Sequence, residues 1–181
     1  MAAVAKKAGL AKGTLYLYFK TKEEIFLSLL ESQFQQWLLD IGLGLQQDSL
    51  ENLVRRICNY VSQRPKFMRL ACAVNSILEQ NLAYDVAAGF KKRQVGRLNE
   101  TGALIEARFP EIQAGRGARL LLESYAMLLG AWQLAEPPRL IKTVIEQERL
   151  DLLRLDFAAF SQTALIRLWA EPIAAGDIRS S

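Results

Sequence analysis

The sequence predicts an all-helical protein with a small head and a larger body, and three observations carry that prediction. Apolar residues recur every three or four positions from Ile25 to Trp169, and no stretch alternates apolar and polar as a strand would. Glycines, prolines and hydroxyl or acidic capping residues stand at the ends of the periodic runs. The chain of 181 residues is 51% hydrophobic, which is enough to bury a sizeable core and suits one head plus one larger domain.

Residues 1–8 (MAAVAKKA) are helix-forming, and Gly9 stops them. Residues 12–19 then begin a short second helix, which makes a helix-turn-helix. Leu15 and Phe19, four apart, share one face that would pack inward against Val4, Ala8 and Leu10. Thr21 and Glu24 read as a capping box, so a third helix starts at Lys22 and runs to about Leu45, carrying Phe34, Trp37 and Ile41. Asp48 is the expected cap of the next helix, with Leu53, Val54, Ile57 and Val61 in register. Pro65 opens a helix expected to reach about Gln80, and residues 84–109 form another that ends at Pro110. Residues 111–135 and 150–170 are the last two long helices, with Pro137-Pro138 and a short helix over 140–145 between them.

The short second helix has the chemistry of a major-groove reader. Its outward face presents Lys12, Thr14, Tyr16, Leu17 and Tyr18, a mixture that reaches both base edges and phosphates. Gly13 lets the backbone approach a ligand closely. Lys22 is a cation at a helix N-terminus, an electrostatic conflict that a bound phosphate would remove. Charge follows the same division. Residues 1–25 hold five lysines and two acids, against 23 basic and 19 acidic residues in the whole chain, so +3 of the net +4 lies there. The rest has 18 basic and 17 acidic residues, a nearly neutral body behind a basic head.

Residues 8–25, AGLAKGTLYLYFKTKEEI, resemble the signature of the TetR family of bacterial transcriptional regulators, Ala-Gly-Val-Ser-x-Gly-x-Leu-Tyr-x-His-Phe, two spacers, then Lys. The matches are Ala8, Gly9, Gly13, Leu15, Tyr16, Phe19 and Lys22. The departures are Leu10 for Val, Ala11 for Ser, which removes an N-cap hydroxyl, and Tyr18 for His, which exchanges one phosphate-reaching group for another. The resemblance implies that Lys12, Thr14 and Leu17 face bases while Tyr16, Tyr18 and Lys22 hold the backbone of a double-stranded operator. The family's first helix would precede this motif, so the head is expected to be truncated at its start. Expected boundaries are 1–27 for the head, 28–172 for an effector-binding and dimerisation domain, and 173–181 for a disordered tail.

The last two long helices are apolar over a wider arc than one core needs, through Leu120, Leu121, Leu122, Tyr125, Leu128, Leu129 and Trp132, then Leu152, Leu153, Phe157, Phe160, Leu165, Leu168 and Trp169. A homodimer through a four-helix interface is expected, and the resemblance implies the same. It would set two heads on half-sites roughly 34 Å apart. The resemblance also implies a small-molecule pocket in the body, with candidates Phe34, Trp37, Tyr60, Phe67, Cys72, Asn75, Glu79, Phe90, Gln94, Tyr125 and Trp132. Asn75 and Glu79 stand out as a polar pair one turn apart in an apolar helix.

Histidine is absent, and Cys58 and Cys72 lack metal-site spacing, so neither catalysis, a metal nor a cofactor is expected. The two thiols read as core residues. With no signal peptide and no uncharged run long enough to span a bilayer, a cytoplasmic protein without a membrane partner is expected. The reading is a ligand-responsive regulator, most simply a repressor. Two others are compatible with the residues: a helical small-molecule-binding dimer that has lost DNA binding, and an enzyme using the body cavity through Glu79 or Glu123.

Overall fold

The computed structural model describes residue 9, residues 11–74 and residues 82–170. Among them every regular element is helical, in eight α-helices and one 3₁₀ turn. These are α1 (Lys12–Tyr18), α2 (Lys22–Gly44), α3 (Leu50–Ser62), α4 (Pro65–Ala73), α5 (Tyr84–Arg108), α6 (Arg116–Ala135), α7 (Arg139–Gln147), the 3₁₀ turn (Asp151–Leu153) and α8 (Phe157–Ala170).

The helix that joins head to body starts as its sequence requires. Thr21 is extended, and its Oγ1 accepts from the Glu24 N–H at 3.2 Å. Glu24 returns through Oε2, which accepts from Lys20 N–H at 2.8 Å, one residue earlier than in a standard capping box. From there α2 buries Leu27, Leu30, Phe34, Trp37, Leu38 and Ile41, a stripe of three- and four-residue steps that runs the length of the body. Its far end is held by Arg108, whose Nε donates to the Leu45 carbonyl at 3.0 Å.

Four boundaries differ from expectation. Ser49, not Asp48, caps α3, its Oγ accepting from Asn52 N–H at 3.2 Å. Asp48 instead accepts from Arg56 Nε at 2.8 Å, a charged bond that outcompetes a cap. The recognition-type helix ends at Tyr18, leaving Phe19 outside it. Helix α6 starts at Arg116 rather than residue 111, because Gly115 takes a left-handed φ of 81°. The run from 150 is not one helix: a 3₁₀ turn occupies Asp151–Leu153, and α8 begins only at Phe157, where Asp156 Oδ1 accepts from Ala159 N–H at 2.9 Å. The expected extension of α4 to residue 80 lies largely outside the described residues.

The core lies where α2, α3, α4, α5, α6 and α8 meet. Its closest helix crossing is between α5 and α6. A Cβ added at Gly102 would overlap the Ala118 backbone nitrogen, and one at Gly117 would overlap the Gly102 carbonyl oxygen. The Glu106 carboxylate reaches across to accept from Gly117 N–H at 2.7 Å, satisfying a donor in the first turn of α6. Helix α8 closes the bundle, with Trp169 Nε1 donating to the buried Ser124 Oγ at 2.9 Å.

Candidate DNA-binding face and body pocket

Helix α1 follows a glycine with φ of 67°, the left-handed conformation that lets a chain leave one helix and turn into the next. Its outer face is open. Leu17 is 83% and Tyr18 77% exposed, Tyr16 is exposed to a lesser degree, and Thr14 is half-buried. Among the described residues a Cβ at Gly13 would meet no atom within 4 Å. Phe19 is half-buried. The side chains of Lys12 and Leu15, and the packing partners Val4, Ala8 and Leu10, lie outside the described residues.

Lys22 stands exposed at the first turn of α2, with Nζ 3.7 Å from Glu23 Oε1. That separation exceeds hydrogen-bond length, so the ammonium retains its capacity to donate to a phosphate. Gly13, Tyr16, Leu17 and Tyr18 on α1 and Lys22 in the first turn of α2 are each exposed.

In the body the structure brings together three of the expected pocket residues. Phe34 packs edge-on to Trp37 at 5.5 Å and to Tyr125 at 5.2 Å, and Trp37 lies 5.9 Å from Tyr125. Trp37 is wholly buried, and its indole N–H has no hydrogen-bond partner among the described residues. Phe67 and Phe90 are buried in the same core, while Cys72 and Gln94 are half-buried. Two candidates are engaged elsewhere. Arg64 lies 3.7 Å over the Tyr60 ring, beside a polar cleft that includes Asp40, Asn59 and Gln63, and Trp132 packs edge-on against Phe157 at 5.2 Å. Asn75 and Glu79 lie outside the described residues.

Both cysteines are free, and Cys58 is buried. Burial pushes its thiol up to about 12, against a smaller pull from Arg55, which leaves a poor nucleophile. Glu123, the carboxylate an enzyme reading would use, accepts from Arg116 at 2.8 Å and lies 3.5 Å from Arg119.

One group was not visible beforehand. Glu31, on α2 just beyond the head, accepts from Arg93 Nε at 2.6 Å, Arg93 Nη2 at 3.0 Å and Arg97 Nη1 at 2.9 Å, all from α5. The Arg93 hydrogen bond, helped by the charges of both arginines and opposed by burial, holds the Glu31 carboxyl below its ordinary value. The arginines register in the sequence only as a polar helix side, and their partner is 62 residues from Arg93 and 66 from Arg97.

Residues 1–29 match the family described as "Bacterial regulatory proteins, tetR family", and residues 31–170 match "Tetracyclin repressor-like, C-terminal domain". The chain belongs to the TetR family of bacterial regulatory proteins, with a helix-turn-helix head followed by a helical C-terminal body. Over 35 residues it is 51% identical to the fatty acid metabolism regulator protein of Bacillus subtilis (strain 168), a stretch that covers 19% of this chain and 18% of that relative. Among the described residues no helix is long and apolar enough to cross a membrane.

Proposed function

We propose that the protein is a homodimeric, ligand-responsive repressor whose α1 helices enter successive major grooves of a palindromic operator. The observation that carries the reading is the outward face of α1, where an apolar and an aromatic side chain stand almost fully in water on a seven-residue helix. Leu17 matches thymine methyls or groove shape, and Lys12 and Thr14 supply donors for base edges. Tyr16, Tyr18 and Lys22 hold phosphates, and Gly13 gives the backbone room to approach. The head takes in residues 1–27 and the body 28–172, with α2 running through the boundary as a lever. The dimer forms through the outer faces of α6 and α8, on which Leu122, Leu134 and Phe160 are exposed.

The effector site is the aromatic group of Phe34, Trp37 and Tyr125. An unpaired buried indole N–H costs about 1–3 kcal/mol, and a ligand oxygen or nitrogen accepting from it would remove that cost. The expected effector is therefore apolar or aromatic with a hydrogen-bond acceptor. To reverse a 1:99 population of released heads it must prefer that state by about 5.5 kcal/mol.

The test is titration of the full-length natural protein against DNA flanking its own gene across a salt series. Saturable, palindrome-specific binding with a steep salt slope is the expected result. Weak, sequence-independent binding would instead favour a sensor without an operator. Effector response is then read as release of that DNA by compounds that raise the melting temperature, and the Trp37→Phe variant should lose that release.

A further inference from the structure

The start of α5 carries charge that neither the head nor the core accounts for. Of the 18 basic and 17 acidic residues beyond residue 25, residues 84–99 hold four basic ones, Lys91, Lys92, Arg93 and Arg97, and one acid, Asp85. That leaves 14 basic and 16 acidic residues for the remainder, so the body's positive charge is gathered on one stretch of one helix. Glu31 answers Arg93 and Arg97 across the α2–α5 seam. The two lysines are exposed, Lys91 with its Nζ 5.5 Å from the Phe90 ring. Lys92 makes no hydrogen bond or ion pair among the described residues. Tyr84, in the first turn of the same helix, is 84% exposed. Seven residues apart, Tyr84 and Lys91 share one side of α5, and Lys92 stands next to it.

The α2–α5 seam fixes where this face lies. Arg93 meets Glu31 62 residues earlier, and Arg108 meets the Leu45 carbonyl 63 residues earlier, so the two helices run parallel with almost no slip. Between those ties, Leu39 and Leu43 line one groove with Glu100 and Leu104 at nearly the same offset. Carried back along α5, the offset sets Tyr84 level with the first turn of α2, where Lys22 stands. It sets Lys92 level with Leu30, eight residues or about 12 Å behind Lys22 at 1.5 Å per residue. A lysine side chain spans part of that set-back, and the rest is comparable with the Debye length of about 8 Å at 0.15 M salt.

We infer that the start of α5 is a second DNA-facing surface, in which the body helps to hold the duplex that the head reads. Charge complementarity selects the occupant. A duplex brought to Lys22 presents one negative charge per about 1.7 Å, and the only strongly one-signed part of the body lies at that same end. The Tyr84 hydroxyl donates to a phosphate, while Lys91 and Lys92 draw the backbone electrostatically. None of the three reads a base, so the surface adds affinity without adding sequence preference.

The inference rests on the DNA-binding reading, and one experiment separates the two. The natural full-length protein, Tyr84→Phe/Lys92→Gln and Arg55→Gln are titrated across a salt series against DNA flanking the protein's own gene and against an unrelated duplex of equal length. Arg55→Gln removes the same charge next to Arg56, whose partner Asp40 lies 18 residues beyond Lys22 on α2, about 27 Å away. The double variant is expected to bind both duplexes more weakly, by a similar factor, and with a salt slope shallower by up to about 0.9 for each head bound. For one such contact its deficit should be about 3.5 times larger at 50 mM than at 200 mM salt. Arg55→Gln should change neither affinity nor slope, and both variants should keep the natural circular-dichroism spectrum and melting temperature because the altered side chains are exposed. If the natural protein binds its operator and the double variant matches it, or loses affinity without a shallower slope, or loses no more than Arg55→Gln, the α5 surface is overturned while the head's role stands. A natural protein that binds neither duplex overturns both.

Discussion

Tyr18 and Tyr125 are the same residue in opposite circumstances. Tyr125 lies in the body, packed edge-on to Phe34 at 5.2 Å and buried. Tyr18 stands on α1, 77% exposed, beside a leucine that is more exposed still. In the body, apolar and aromatic surface is covered by the chain itself, so its stabilisation is realised within the protomer. In the head the same kinds of side chain gain nothing from folding. The difference separates residues that build the protein from residues that await a partner, and it states what substitution in each region must do.

The sharpest break of that contrast is at the α5–α6 crossing. Gly102→Val places side-chain atoms against the Ala118 backbone, which has no flexible end to move aside. We expect a loss of about 3 kcal/mol, at the upper end for overpacking, read as a fall in the urea midpoint. Operator affinity per folded molecule should be kept if the crossing only supports the body.

The head should behave in reverse. Leu17→Ala and Tyr18→Ala remove side chains that touch little of their own chain, so stability should stay within about 0.5 kcal/mol. Operator binding should weaken by about 1–3 kcal/mol, roughly 5- to 150-fold in Kd. Leu17→Ala should also relax discrimination among operator sequences, whereas Tyr18→Ala should weaken all of them alike, as phosphate contacts do. Equal losses of stability and binding in either variant would mean that α1 is packed rather than presented.

These contrasts were unevenly legible in the sequence. Helical periodicity located the body helices because burial on α2, α3 and α5 obeys the same three- and four-residue spacing that the chain displays. The head was legible because a turn glycine, a capping threonine and the residues between them act over a few positions. What escaped depended on distant chain. Asp48 looked like a cap until Arg56, two turns into the same helix, claimed it, and Ser49 took the role. The Gly102–Gly117 crossing and the Glu31–Arg93–Arg97 clamp need two helices to be brought together before either has meaning. Leucines at 150, 152 and 153 suggested a helix, but periodicity alone does not distinguish a buried stripe from one turned to solvent.

Gly13→Ala sharpens the contrast through opposite signs. Nothing among the described residues occupies the space a Cβ would take, and alanine is favoured over glycine in a helix by about 1 kcal/mol. Thermal stability should therefore rise slightly. If DNA backbone closes on that position, affinity should fall in the same variant. A rise in stability with unchanged binding would place the duplex further from α1 than the proposed docking allows.

The smallest expected effect lies at the join of the two regions. Glu31 belongs to α2, which begins in the head, yet its partners Arg93 and Arg97 belong to the body. The pair with Arg93 is partly open to solvent, so Glu31→Gln should cost about 1 kcal/mol or less in stability at neutral pH. Because the folded carboxyl sits below its ordinary value of 4.5, that contribution is complete above the ordinary value and is lost as pH falls through the lower, folded one. The stability gap between natural protein and variant, measured by urea unfolding, should thus be constant from neutral pH down to that range and close below it. Operator affinity tests what the clamp is for. If it sets the angle at which α2 carries α1, binding at neutral pH should fall by more than stability does, because an operator reads the spacing of two heads and a protomer's fold does not. If binding and stability fall together, Glu31 is a surface ion pair of the body, and the lever that transmits an effector's signal to the head lies elsewhere along α2.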